Sequence, residues 1–348
     1  FSPVWGDLSD RYGRKPFLIL GTLGNGLAML LFGLSTELWM LFAARALAGI
    51  LSAATLPSAM AFISDSTSHA DRGKGMGMIG AAMGVGMVIG PGLGGSMAGI
   101  SLAAPFFLSA GVSLIAAVLI FFALPESLSK ENRTTTERRK IRGPQLKAMW
   151  QALFSPIGVL LILAFLLSFG LTNFEGIFGL YALERFDYGP QEVGLLLTGI
   201  GITSALVQGL LTGPLTKRWG DVAVIRTALL GSAIGFGMML LAFNFMTVLV
   251  TVMLFILSTA LLRPSVSSLT SKRTIDGQGM AMGLNNSFMS LGRIVGPIWA
   301  GLVFDVNIIL PYLSGAVILL VGFAISMIWL KKDEPVSQKS AGTAPINS

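Results

Sequence analysis

Apolar and polar positions alternate along this chain in long blocks. Ten runs of about 20 mostly apolar residues are separated by short polar segments that hold nearly all the charge. In the first half the runs are 16–34, 38–63, 75–98 and 102–124. In the second they are 157–183, 193–215, 223–243, 245–270, 280–304 and 308–330. Each can cross the roughly 30 Å hydrocarbon core as a helix. Lipid offers backbone groups no hydrogen-bond partners, so all ten are predicted helices; barrel strands would be half as long and alternate in polarity. Composition agrees, with 53% hydrophobic residues, 12% charged residues and a mean hydropathy of +0.76. Soluble domains carry about 25% charged residues. The predicted class is an all-α, polytopic membrane protein.

Charge sets the orientation. Lys and Arg gather before Pro16, at Arg72 and Lys74, in 125–152, from Lys217 to Arg226, at Lys272 and Arg273, and in the tail; the opposite loops hold only Arg185. By the positive-inside rule the basic side, with the C-terminus, is cytoplasmic in a cell-membrane protein. The net charge of +7 follows from this bias and calls for no nucleic acid. Cysteine is absent, so neither disulfides nor thiolate metal sites are available. His69 falls in a cytoplasmic loop and reads as a solvated residue rather than a proton relay. No phosphate-binding loop, metal cluster or nucleophile–base pair is present. The sequence therefore predicts no enzyme and no cofactor, and no ATP hydrolysis by this chain. The partner that composition implies is the bilayer, and the expected state is a monomer.

The chain contains an internal repeat. Gly86-Met-Val-Ile-Gly90-Pro91 recurs as Gly292-Arg-Ile-Val-Gly296-Pro297, and Gly6-x-Leu8-x-Asp10-Arg11-x-Gly13 is echoed by Gly213-x-Leu215-x-Lys217-Arg218-x-Gly220. Two homologous halves are expected: an incomplete N-terminal bundle of four spans (1–124), a cytoplasmic linker (125–155), a six-helix bundle (156–330) and a cytoplasmic tail (331–348). Projecting the repeat back from Ile157 places about 50 residues and two helices before Phe1, so twelve spans are expected of a parent protein.

The motif Gly6-Asp-Leu-Ser-Asp10-Arg11-Tyr-Gly13-Arg14-Lys15 resembles the cytoplasmic signature of the major facilitator superfamily. Gly6 and Gly13 allow close packing and a tight turn. Asp10 can pair with Arg11 or Arg14, or face a helix N-terminus. The glycines of Gly86-x-x-x-Gly90-Pro91-x-x-Gly94 fall on one helix face and admit a close neighbour, while Pro91 removes a backbone hydrogen bond. That string resembles the family's antiporter motif. Arg45-Ala-Leu-Ala-Gly49 resembles its motif with a buried arginine linked to proton transfer. Two readings of Arg45 stand: a functional intramembrane charge, or a structural arginine snorkelling outward.

Further stretches, among them Leu167-Ser-Phe-Gly-Leu-Thr-Asn-Phe-Glu175, Leu262-Arg263-Pro264 and Gly283-Leu-Asn-Asn-Ser-Phe288, resemble multidrug exporters of the NorA and Bmr type. The resemblance implies the superfamily's fold of two pseudo-symmetric helix bundles. It also implies exchange of a cytoplasmic drug for an external proton, with Glu175 as proton site and Arg45, Met83, Met87, Phe178 and Arg293 lining the cavity. Glu175 stands out independently as the acid clearly inside a span. A carboxylate removed from bulk water exchanges protons near neutral pH. Phe174, Phe178 and Tyr181 read either as a stacking wall for aromatic drugs or as packing residues. Met83 and Met87, one turn apart, suit a promiscuous cavity or a core. Asn173 and Gln208 can each hydrogen-bond a drug or a neighbouring helix.

The chain departs from that pattern in two places. These exporters carry a second intramembrane acid where this chain has Ala260, and a pocket asparagine where it has Arg293. Arg45, Arg263 and Arg293 then face one acid, which leaves room for zwitterionic or anionic substrates; snorkelling is the other reading of Arg263. Two transporter functions are expected to compete: a proton-coupled multidrug exporter, and a carrier with a narrow substrate range. A non-transporting receptor would leave Glu175 and the antiporter motif unexplained.

Overall fold

The computed structural model describes residues 1–68, 71–129, 131, 146–155, 157–274 and 278–330. His69, most of the predicted linker and the predicted tail lie outside the described residues.

The helices are α1 (Ser2–Tyr12), α2 (Arg14–Leu34), α3 (Leu38–Leu51), α4 (Thr55–Ser66), α5 (Arg72–Ala98), α6 (Ala104–Ala123), α7 (Leu146–Leu153), α8 (Gly158–Phe186), α9 (Pro190–Leu206), α10 (Thr212–Trp219), α11 (Asp221–Met239), α12 (Phe245–Arg273), α13 (Gln278–Phe304) and α14 (Leu310–Trp329). Among the described residues ten helical stretches are long and apolar enough to cross a membrane, and they coincide with the ten predicted runs. Two of these runs are not uniform helices. A 3-10 turn at Ser52–Ala54 joins α3 to α4, and a π-helical turn at Val207–Leu211 joins α9 to α10.

Local chemistry explains the boundaries. The Gly6–Lys15 motif is largely helical: α1 runs through it to Tyr12 and α2 begins at Arg14, with Gly13 between them at φ 110°. Gly220 separates α10 from α11 in the same way at φ 79°. A side chain at either position would be strained, which fixes the turn in both repeats. Gly6 meets no neighbour that a Cβ would touch, so the close packing expected there is absent. Asn244 opens α12 with a capping box: its Oδ1 accepts from Thr247 N–H at 2.9 Å, and Thr247 Oγ1 accepts from Asn244 N–H at 3.0 Å. Pro91, Pro264 and Pro297 sit inside α5, α12 and α13, where flanking helices make the lost backbone bonds tolerable.

By its contacts the chain divides into two compact units, residues 1–145 with 188–201 and residues 146–187 with 202–348. The segment 188–201 follows α8 and belongs to the second repeat, yet its contacts are with the first unit.

In the second unit α8 packs along α13, and α11 lies against α12 and α14. Glycines make these approaches possible. A Cβ on Gly292 would lie 2.5 Å from Phe165 O, and one on Gly296 2.8 Å from Phe169 O. Gly235 would similarly meet Phe255 Cα at 2.7 Å. An aromatic core fills the space between, with ring centroids 4.5 Å apart for Phe236–Phe255, 4.8 Å for Phe174–Phe178 and 4.2 Å for Tyr181–Tyr312. Arg226 closes the end of α14 by donating to the carbonyls of Ser326 (3.1 Å) and Leu330 (2.6 Å).

In the first unit α2 packs against α6 and α3, with Gly24 admitting Leu51. The glycine-rich α5 meets α9 almost backbone to backbone. A Cβ on Gly95 would lie 2.6 Å from Pro190 O and 2.8 Å from Gly194 Cα, and one on Gly201 2.6 Å from Met87 O. This contact uses the face opposite to the one expected. Gly86, Gly90 and Gly94 look onto open space. Their repeat counterparts Gly292 and Gly296 seat α8.

Candidate functional site

Polar groups concentrate in three places. The first is the Gly6–Lys15 motif. Gly13 turns the chain so that Arg14, the first residue of α2, points back along α1. Its guanidinium pairs with Asp10 one turn earlier and with Asp65 at 3.0 Å near the end of α4, and it donates to Ser9 Oγ at 2.9 Å. The Arg14 side chain is buried, whereas Asp10 is about half exposed. Of the two partners open to Asp10, the structure thus selects Arg14; Arg11 pairs with Asp7 at 3.0 Å. Glu126 accepts from the backbone N–H groups of Arg14 (2.8 Å) and Lys15 (3.2 Å), which places a carboxylate at the positive end of α2.

The second place is the matching corner of the other repeat. Asp221, the first residue of α11, is buried to 1% exposure and pairs with Lys272 near the end of α12. Ser268 Oγ donates to the same carboxylate at 3.3 Å. Shifting numbers by 207 maps Asp10 onto Lys217, Arg14 onto Asp221 and Asp65 onto Lys272. All three signs are reversed. Asp65, Glu126, Asp221 and Lys272 were not singled out from the sequence. The repeat offset, applied to charges as well as glycines, was the signal that could have found three of them.

The third place lies within the spans of the second unit. Glu175 on α8, Arg263 on α12 and Arg293 on α13 are all exposed. The contact of α8 with α13 sets the spacing: Thr172 Oγ1 donates to Gly292 O at 3.2 Å, and Gly176 lies against Pro297. Glu175 and Arg293 are close enough to attract each other, and Arg293 and Arg263 close enough to repel. Among the described residues none of the three is in a direct ion pair.

The remaining predicted residues divide by burial. Asn173 is fully buried and donates from Nδ2 to Pro311 O at 2.8 Å, tying α8 to α14. Phe174, Phe178 and Tyr181 are each at most 2% exposed and belong to the aromatic core. A drug would reach these four only if that packing opened. Gln208 is exposed on the π-helical turn, where Thr212 Oγ1 donates to Val207 O five residues back at 3.1 Å. Met83 and Met87 are exposed on α5 and Arg45 on α3, all in the first unit. That unit also holds an apolar cleft of about 390 Å³ between α2, α3 and α6, lined by Leu23, Leu27, Leu51 and Leu114 among others. It has no converging polar group and does not coincide with the charged cluster.

The Major Facilitator Superfamily description matches this chain twice, over residues 1–189 and 160–348. The chain belongs to the major facilitator superfamily. Among curated relatives it is 34% identical over 331 residues to Multidrug resistance protein 2 of Bacillus subtilis, covering 95% of this chain and 83% of the relative. It is 32% identical over 329 residues to Multidrug resistance protein 1 of the same organism, covering 94% and 83%. Identity to the Quinolone resistance protein NorA of Staphylococcus aureus is 27% over 329 residues, again covering 94% and 83%. In fold, the chain is similar to the crystal structure of the human organic anion transporter MFSD10 (TETRAN), with a TM-score of 0.62 and 24% identity over 93% of this chain and 80% of that one. The twice-matched family and the ten spans establish a multi-pass membrane protein of the superfamily's transporter type.

Proposed function

We propose that this chain is a proton-coupled antiporter that exports amphipathic drugs by alternating access. Its basic loops and C-terminal tail lie in the cytoplasm. The observation that carries the reading is Glu175, in a chain whose relatives are named for multidrug resistance. Among the described residues of the ten spans it is the acid furthest from a helix end, and it is exposed. An acid in that position is functional by default.

The cycle follows from electrostatics. Deprotonated Glu175 faces the cytoplasmic supply of drug and holds a polar or cationic group. Protonation from outside neutralises it and loosens that hold. Return of the proton to the cytoplasm restores the charge. Arg45 carries the resemblance to the superfamily's proton-linked arginine motif. The exposed Met83, Met87 and Gln208 supply adaptable apolar and hydrogen-bonding contacts. The buried Asn173, Phe174, Phe178 and Tyr181 hold α8 in place.

The test is dye efflux from energised vesicles with and without a proton uncoupler. Wild type is expected to lose uphill efflux when the gradient collapses. Glu175→Gln, fixed in the neutral form, is expected to show only the uncoupled level at matched expression. Full gradient-dependent efflux by Glu175→Gln would place the proton path elsewhere.

A further inference from the structure

We infer that Arg263 and Arg293 together form a seat for the carboxylate of an amphipathic anion or zwitterion, so that negatively charged amphiphiles are preferred over neutral and dicationic ones. This rests on the export reading and narrows its substrate class.

The geometry starts from helix register. α12 and α13 run antiparallel, and Asn285 Nδ2 donates to Ser267 Oγ at 3.4 Å. Counting from that contact, Arg293 lies level with Thr259 and Arg263 with Met289. The two arginines are therefore one turn apart along the helix axes, about 6 Å. Met289 and Thr259 are themselves buried and offer neither arginine a counter-charge. Both guanidinium groups are exposed, and they repel each other.

Neither charge can escape to the membrane surface. Arg293 follows Met280 by 13 residues, about 20 Å of helix, and precedes Phe304 by 11, about 16 Å. Arg263 lies 7 residues, about 10 Å of helix, inside the end of its run at Thr270. Snorkelling is an end-of-helix device, and an arginine this deep faces water or a partner rather than hydrocarbon. Glu175 attracts Arg293 but forms no ion pair with it, and Ala260, beside Arg263 on α12, supplies no second acid. The cluster carries two positive charges against one negative, which leaves it with a net positive charge. A carboxylate is the ligand that fits: guanidinium groups bind it through paired, charge-assisted hydrogen bonds, which strengthen away from bulk water. An amine on the same molecule would meet Glu175, so a zwitterion is matched at both ends.

The test is equilibrium binding to the purified chain in neutral detergent. The probe is dansyl-aminoundecanoic acid, compared with its primary amide. The acid is expected to bind roughly tenfold tighter than the amide, and this ratio needs no variant. In Arg293→Gln and in Arg263→Gln the ratio is expected to fall towards one. Equal binding of acid and amide by wild type would overturn the inference, as would a ratio that persists in the double variant. A further arm adds phosphatidylglycerol. Displacement of the acid by that lipid at equal concentration would assign the arginines to a headgroup and likewise overturn the proposal, whereas retention of the acid supports it. The two readings fail separately. Acid preference without uncoupler-sensitive dye efflux sinks the export reading alone; efflux without acid preference sinks the seat alone.

Discussion

The corner formed by Asp10, Arg14 and Asp65 and the corner formed by Asp221 and Lys272 occupy corresponding positions in the two repeats with the signs reversed. Attraction is unchanged when both signs are exchanged, so one backbone arrangement supports either version. The helix dipole is not so indifferent. Arg14 and Asp221 each begin a helix, just after a glycine with positive φ. An acid there is favoured by the partial positive charge of the helix end, and a cation is opposed by it. The cationic version accordingly gathers more support: Asp10, Asp65 and Ser9 around the guanidinium, and Glu126 on the exposed N–H groups of α2. The acidic version holds with Lys272 and Ser268. The difference teaches that the buried residue at the start of the helix sets how many partners the corner needs.

This comparison can be broken from its strongest side first. Arg14→Ala leaves Asp10 and Asp65 without their buried partner and is expected to cost about 2–3 kcal/mol, because the two carboxylates left behind, 47% and 27% exposed, can rehydrate. Arg14→Asp should be worse, preventing accumulation in the membrane. Importing the second corner whole, as Asp10→Lys with Arg14→Asp and Asp65→Lys, should recover most of that loss in a thermal-shift measurement. A triple variant no better than Arg14→Asp would show that sign exchange is not what the fold tolerates.

The glycine faces offer the next test. Gly292→Ala presses a methyl into the backbone of α8 and should cost about 1–3 kcal/mol by overpacking. Gly86→Ala, at the equivalent position with open space around it, should be neutral or stabilising by up to about 1 kcal/mol through helix propensity. Equal losses at both positions in detergent unfolding would contradict the open face of α5.

Smaller effects sharpen the corners themselves. Asp221→Asn keeps the shape and frees a lysine whose side chain is 64% exposed, so rehydration limits the cost to about 1–2 kcal/mol. A loss matching that of Arg14→Ala would remove the dipole argument. Asp10→Asn should cost at most about 1 kcal/mol because Asp10 is half exposed and Arg14 keeps Asp65. If this corner holds one access state, transport by Asp10→Asn should nevertheless fall well below wild type at equal expression. Normal transport would reduce the motif to an orientation signal.

The spans were legible in the sequence because lipid enforces a length and a polarity on every crossing segment. The tight turn at Gly13 and the pairing of Asp10 were legible because they depend on residues one turn apart. Asp65 was not legible, since its role depends on Arg14, 51 residues away in sequence and adjacent only after folding. The aromatic run Phe174, Phe178 and Tyr181 shows the same limit. Helical spacing puts the rings on one face, but whether that face meets a ligand or Phe236 and Phe255 is decided by another helix. Asn173 was open between drug and neighbour for the same reason. The π-helical turn around Gln208 leaves no mark in the pattern of apolar residues.

The contact between α5 and α9 has a mechanical meaning. Most helix pairs interlock like gear teeth, because side chains of one fill the gaps of the other, and any slide must lift each tooth over the next. Where Gly95 faces Gly194 and Gly201 faces the carbonyl of Met87, the teeth are missing. Two smooth rods in close contact keep their dispersion attraction yet offer no rotamer to reset and no methyl to climb. Such a junction behaves as a plain bearing: it resists separation and permits rocking. A single methyl added at Gly95 would turn the bearing into a ratchet.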